Sequence, residues 1–195
     1  MEKVKLSEKS WYEIGKIEPI YCQKFEELWN EHPSDFGEVI VWGKKLKTPR
    51  YQQSYIRNYN FSGIDHSALP LPSIFQPYLE RANLESKRLN HSPYNQVLIN
   101  WYENGLHYIG KHRDDEVGLN PKGTIFSLSL GAERKFRIRS YNTSKIVKDL
   151  MVTDGTIVIM GGDMQKEFTH EIVKISGNKG SKVGKRINIT CRVFN

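Results

Sequence analysis

The chain has 195 residues, 38% hydrophobic and 26% charged, enough apolar material for one substantial core and too ordered a composition for a disordered protein. Its formal net charge of +7 favours anionic partners without identifying one. Cys22 and Cys191 are too few for a disulfide framework and lack metal-ligand spacing, so both are expected as reduced thiols. The stretch Met1-Glu2-Lys3-Val4-Lys5 does not resemble a signal peptide, and no run approaches the ~18 apolar residues of a membrane span. These features lead us to expect a soluble, intracellular monomer that does not engage membranes.

In chain order, Tyr21, Phe25, Leu28 and Trp29 recur at helical spacing after Pro19 and predict a first helix. Val39-Ile40-Val41-Trp42 predicts a strand and Gly43 a turn, followed by the basic stretch Lys44-Lys45-Leu46-Lys47. Tyr51 to Phe61 predicts an aromatic strand closed by Ser62-Gly63. A helix is expected between Ser73 and Leu89, with Ser73 as cap, Pro77 in the first turn, and Ile74, Tyr78, Leu79 and Ala82 on its apolar side.

Beyond Pro93 the pattern is short strands and turns: Val97–Ile99, Ile125–Leu130, Lys135–Arg139, Thr156–Met160 and Arg186–Phe194. Helices followed by many strands imply an α+β fold built around a double-sheet barrel or jelly roll, whose mouth is a natural site for a cofactor.

His112-Arg113-Asp114 with the distant His170 is the sharpest chemical feature. Residues two apart on a strand face the same way, so His112 and Asp114 can meet one centre, with His170 arriving from another strand. Two imidazoles and one carboxylate on one face of a metal leave positions open, the arrangement of non-haem Fe(II) oxygenases. Zinc takes the same donor types, and an H-x-D pair is also found in surface turns.

The last strand places Arg186, Asn188, Thr190 and Arg192 on one face and Ile187, Ile189, Cys191 and Val193 on the other. Two arginines turned inward need an anion, and their planar forks suit a dicarboxylate. An exposed polar face on an edge strand is the other reading of the same pattern. Asn100 and Tyr102 share parity on the strand leading to His112 and can donate hydrogen bonds to the same acid.

With these residues in view, the chain resembles the AlkB family of Fe(II)/2-oxoglutarate-dependent dioxygenases, most closely its animal DNA-repair branch. Asn100 to Gly105, Ile109 to Glu116, Ser127 to Phe136 and the R-x-N-x-T-x-R ending from Arg186 to Arg192 carry the resemblance, which runs from Val39 to Phe194. It implies a double-stranded β-helix in one domain, with N-terminal helices and a nucleotide-recognition lid over residues 1–95 and the catalytic core over 96–195. It implies Fe(II) on His112, Asp114 and His170, which are also the catalytic residues. It further implies 2-oxoglutarate on Asn100, Tyr102, Arg186, Asn188, Thr190 and Arg192, with Arg186 on the distal carboxylate.

The activity it implies is oxidative dealkylation of bases such as 1-methyladenine and 3-methylcytosine in single- or double-stranded DNA, with RNA as a second substrate. O2 and 2-oxoglutarate would yield a ferryl oxidant, succinate and carbon dioxide, and the alkyl group would leave as an aldehyde. Tyr59 and Phe61 would hold the extruded base against His112, and Asp115 and Glu116 would meet the edge of a cationic lesion. Trp42, bulkier than the family leads one to expect, falls where that branch has a finger entering the duplex, and Lys44, Lys45, Lys47 and Arg50 would contact phosphates. The turn from Met160 to Gln165 departs from the family pattern, and the basic tract Lys174 to Arg186 is expected as an exposed loop. An RNA demethylase acting on a regulatory methyl mark, a protein or small-molecule hydroxylase on the same barrel, and a nucleic-acid-binding module without catalysis remain the competing readings.

Overall fold

The computed structural model describes residues 1–61 and 64–195, with the backbone alone for Val41, Tyr59, Phe61 and Asp65. In chain order it contains β1 (Glu2–Lys5), β2 (Ser10–Lys16), α1 (Phe25–Trp29), β3 (Glu38–Val41), β4 (Lys44–Lys47), β5 (Tyr51–Tyr55), β6 (Tyr59–Phe61) and β7 (Ile64–His66). There follow α2 (Gln76–Arg88), β8 (Gln96–Tyr102), β9 (Ile109–His112), β10 (Ile125–Gly131), β11 (Arg134–Ser140), β12 (Ile146–Val152) and β13 (Thr156–Gly162). The last elements are α3 (Met164–Glu167), β14 (Phe168–Ile172), α4 (Gly177–Ser181) and β15 (Arg186–Arg192).

A major sheet runs β1-β2-β13-β10-β15-β8-β5 and a minor sheet β12-β11-β14-β9, while β3–β4 and β6–β7 pair separately. The two sheets form the jelly roll that the strand-rich second half leads one to expect, β13-β10-β15-β8 facing β12-β11-β14-β9. Strands β1, β2 and β5 extend the major sheet, so that sheet crosses the expected division at residue 95. The hairpin β1–β2 is absent from the sequence expectations because β1 is short and charge-rich, and Glu13 and Gly15 interrupt the apolar positions of β2.

Parity explains why both faces of the major sheet are buried. Val97, Ile99 and Trp101 of β8, Phe126, Leu128 and Leu130 of β10, and Ile187, Ile189 and Cys191 of β15 form one core with Leu28, Trp29, Phe75, Tyr78 and Ala82. Their alternating neighbours turn to the space between the sheets, where Tyr102, Ile125, Val158 and Met160 meet Phe136, Ile138, Leu150 and Ile172. Helix α2 covers the first core through Tyr78, Leu79 and Ala82, and its polar side is tied to β2 and the turn after it by Arg88 on Glu13 and Arg81 on Glu18. A 3-10 turn over Ser73–Phe75 precedes the helix, and the Ser73 side chain makes no capping bond, so the expected cap is not used.

The expected strand from Tyr51 to Phe61 is broken in two. Ile56 adopts φ 72°, a left-handed backbone that a β-branched residue tolerates poorly, and β6 starts only at Tyr59. The basic stretch after Gly43 pairs with β3 as a hairpin whose two-residue loop, Trp42-Gly43, has φ 52° and 73°, the geometry of a type I′ turn.

Trp101 is fully buried, and its indole Nε1 donates to the Leu28 carbonyl at 3.0 Å, fastening the strand to α1. Replacement by alanine is expected to cost about 3–5 kcal/mol in urea unfolding. Leu84→Ala on the exposed side of α2 is expected to change stability by less than about 0.5 kcal/mol.

Candidate metal centre

Strand β9 ends at His112 and pairs antiparallel with β14, and in that register His112 lies opposite His170. Backbone pairing therefore sets the two imidazoles side by side, ring centroids 4.3 Å apart. Asp114 sits just past the end of β9, not on it as the strand argument supposed, yet one donor atom from each of the three residues lies within 4.8 Å of the others. His112 Nδ1 is 2.9 Å from the Gly110 carbonyl, which as donor to that oxygen leaves Nε2 with a lone pair for a metal. The Phe136 ring stacks on His170 and limits its rotation.

The electrostatics suit a cation. Close packing by protein atoms, with His170 alongside, pushes the half-buried His112 imidazole down to about 3, so it is neutral and able to ligate at pH 7. Burial by itself would raise the Asp114 carboxyl, but Arg192 and His170 outweigh it and hold the group well below the ordinary carboxylate range. Asp114 is ion-paired with Arg192 through Oδ1, and its Oδ2 lies 3.4 Å from His170 Nε2.

Next to this cluster the even-numbered residues of β15 form the wall that parity leads one to expect. Arg186, Asn188, Thr190 and Arg192 are all buried and line a deep pocket with Asn100, Tyr102, His112 and Asp114. Arg186 donates to Ser129 Oγ at 2.8 Å, and Asn188 donates to Ser127 Oγ at 2.9 Å. The reading of these residues as an exposed edge face is excluded, because β15 lies between β10 and β8.

Several participants were not singled out in the sequence. Ser127 and Ser129 interrupt the apolar run of β10 at alternate positions, a legible signal of an inward polar face. Arg134, almost fully buried, donates to the carbonyls of Asn104, Gly105, His107 and Val173 and lies over the Tyr102 ring, 5.8 Å from its centroid. Burial and the charge of Arg186 push Arg134 down to about 10.

A wider cleft of about 640 Å³ opens on His112, lined also by Val39, Leu46, Asn60, Tyr108, Arg113, Asp115, Glu116 and Val117. Glu116 lines this cleft with its carboxylate oxygens buried, whereas Asp115 is exposed and paired with Arg113 at 2.5 Å. Trp42 and Lys44 are exposed at and beside the hairpin tip, and Lys45 and Lys47 pair with Glu38 and Asp35. The expected phosphate contact from Arg50 is not met: the side chain is 4% exposed and donates to Asn100 Oδ1 at 2.7 Å and Gln52 Oε1 at 2.8 Å. The side chains of Tyr59 and Phe61 lie outside the described residues. The basic tract from Lys174 is less loop-like than expected, since it contains α4, whose Gly180 carbonyl accepts the Gly105 N–H at 2.8 Å.

Residues 23–192 match the family described as the 2OG-Fe(II) oxygenase superfamily. The human DNA oxidative demethylase ALKBH2 is 32% identical over 181 residues, covering 86% of this chain and 66% of the relative. The bovine alpha-ketoglutarate-dependent dioxygenase alkB homolog 3 is 31% identical over 132 residues, covering 63% of this chain and 44% of that protein. This chain thus spans about two thirds or less of the length of these curated relatives. Among solved structures, the one described as "The structure of OsALKBH1" superposes with a TM-score of 0.63 at 17% identity, over 93% of this chain and 97% of that one, a likeness of fold. The chain belongs to the 2OG-Fe(II) oxygenase superfamily and, within it, to the AlkB family.

The family's cofactor and co-substrate fit the residues present. Fe(II) finds a neutral imidazole and a deprotonated carboxylate in a cluster of two histidines and one aspartate. For 2-oxoglutarate, Arg186 offers buried Nε and Nη1 groups that donate no hydrogen bond among the described residues, next to the Tyr102 ring.

The Asp114–Arg192 pair makes a pH-dependent prediction for the metal-free protein. A carboxyl held below its unfolded value stabilises the fold above pH ~4 and loses that contribution as pH falls through its folded value. In Arg192→Met the buried carboxylate lacks its partner, which is expected to cost about 3–5 kcal/mol at pH 7. Below pH ~4 the unfolded chain takes up a proton that the folded parent's Asp114 does not, so the parent loses this contribution and its gap to the variant should narrow, as urea unfolding across pH would record.

Proposed function

We propose that the protein removes alkyl groups from nitrogen atoms of nucleic-acid bases by oxidation, acting on 1-methyladenine and 3-methylcytosine in DNA and secondarily in RNA. The observation that carries this is the juxtaposition of the His112, Asp114 and His170 cluster with a buried arginine-lined pocket on one side and an open cleft on the other. The naming of a curated relative as a DNA oxidative demethylase supports the substrate class.

In this reading His112, Asp114 and His170 hold Fe(II), and Asn100, Tyr102, Arg186, Asn188, Thr190 and Arg192 hold 2-oxoglutarate. Iron(II), O2 and 2-oxoglutarate together supply the oxidation that hydroxylates the N-alkyl carbon, with succinate and carbon dioxide as by-products; the hydroxyalkyl group then leaves as an aldehyde. Arg186 neutralises the distal carboxylate of the diacid, and Arg50 holds Asn100 in orientation behind it. Phe61 and Tyr59 hold the base against His112. Glu116, with Asp115 next to it, supplies carboxylate charge to balance the positive charge that alkylation fixes on the ring. A neutral N6-methyl mark has no use for that carboxylate, which ranks cationic lesions first.

The hairpin of β3 and β4 serves as the nucleotide-recognition element, over a single catalytic domain. Trp42 is 97% exposed and occupies a left-handed backbone position, a strained placement for a bulky residue with no packing reward. Such a side chain earns its place by stacking on bases, either as a wedge in an opened duplex or on a single strand. Lys44 beside it supplies charge for a phosphate.

Two measurements test this. With Fe(II) and 2-oxoglutarate, 3-methylcytosine oligonucleotides should be repaired and matched N6-methyladenine ones left largely intact, with Asp114→Ala abolishing both repair and succinate formation; activity on N6-methyladenine alone would reverse the substrate assignment. Trp42→Asn suits a type I′ turn and should leave stability unchanged or raise it by up to about 1 kcal/mol. Repair of oligonucleotides should nevertheless fall at least about fivefold, the loss of one base-stacking contact of about 1–3 kcal/mol. Undiminished repair would remove Trp42 from the base-contacting residues, whereas no repair by the parent would favour a protein or small-molecule hydroxylase.

A further inference from the structure

We infer that Gln165 is a positioning residue for the metal centre, fixing the main chain of Asp114. This rests on the reading of His112, Asp114 and His170 as metal donors and adds to it a residue outside the donor set. Gln165 Oε1 accepts the Asp114 N–H at 2.9 Å, and Gln165 Nε2 lies 3.6 Å from Met160 Sδ. The orientation of the amide follows from chemistry: a backbone N–H is a donor, so the oxygen must face it.

Asp114 needs such a tether. It lies two residues beyond the end of β9, where the ladder with β14 has ended, so regular pairing does not hold its backbone. Gln165 can supply the tether because its own helix is anchored. Ser7 and Ser10 donate to the Glu167 carboxylate at 2.5 Å each, and the Asp163 N–H donates to the Lys9 carbonyl at 3.0 Å. Gly162, at φ 68° and packed close to that same carbonyl, lets the chain turn from β13 into α3. Helix α3 then runs directly into β14, which carries His170. One amide thereby joins the segment bearing Asp114 to the segment bearing His170, adding a main-chain tether to the side-chain contacts of Asp114 with Arg192 and His170.

Outer partners of this kind alter metal affinity more than they alter the fold, commonly 10- to 100-fold. The test strips the full-length protein of metal and titrates Mn(II) by calorimetry into the parent, Gln165→Met and Gln165→Glu. Gln165→Met keeps the length and loses the acceptor, and should bind Mn(II) about 10- to 100-fold more weakly. Gln165→Glu keeps an acceptor at the same reach and should restore the parent's affinity. Co(II) loaded at saturation should give a shifted visible absorption band in Gln165→Met alone, a signature of altered ligand geometry that a packing defect elsewhere would not produce. Equal Mn(II) affinity in Gln165→Met and parent, or equal weakness in Gln165→Met and Gln165→Glu, would overturn the assignment. A parent that takes up no Mn(II) would instead overturn the metal reading on which it rests.

Discussion

The pairing of β9 with β14 is the constraint on which the rest depends. Side chains alternate across a strand, so a slip of one residue would carry His170 to the outer face and dismantle the cluster. Ile109 of β9, opposite Ile172, packs against the inner cluster, and β14 itself is fixed on β11 from both sides of the minor sheet. On the inner side Phe136, Ile138 and Ile172 pack in the core, with Phe136 stacked on His170. On the outer side Arg139 of β11 pairs with Glu171 of β14 at 2.7 Å. The side-by-side placement of the two imidazoles is thus a by-product of sheet formation.

The polar interior between the sheets is the counterpart of that arrangement. Burying Arg186, Arg192, Asn188 and Asp114 costs solvation that the Asp114–Arg192 pair only partly recovers. A sequence selected for stability alone would place apolar residues there, as it does on the opposite parity of β8, β10 and β15. Arg186 and Arg134 both lie near the Tyr102 ring, two buried cations without a carboxylate beside either among the residues described. Such a concentration of positive charge is stable in the presence of an anion, and the proposed diacid supplies one. The Arg192–Asp114 contact links this wall to the donor cluster, so charge at one is felt at the other.

Much of this was legible because alternation is a strong signal. Arg186, Asn188, Thr190 and Arg192 declare a shared face by parity alone, and His112, Asp114 and His170 are recognisable from residue type. The failures have physical causes. The strand β9 is four residues long and β14 five, too short for a period to emerge, so the register that matters most was invisible. Arg50 follows a run of lysines and looked like one more phosphate contact; only the fold turns it inward to Asn100 and Gln52. The left-handed backbone at Trp42 and Ile56 contradicts local preference, which is why a continuous aromatic strand was expected where two short ones form. Gln165 carries no signal in one dimension, since its partner is 51 positions away and is a main-chain N–H.

The central claim is that one ion is shared by His112, Asp114 and His170. Anomalous diffraction from crystals grown with Mn(II) and 2-oxoglutarate tests it most directly. The account predicts a single strong peak about 2.0–2.3 Å from a nitrogen of each imidazole and an oxygen of Asp114, with the diacid between the ion and Arg186. A peak elsewhere, or one that leaves out any of the three side chains, would contradict it.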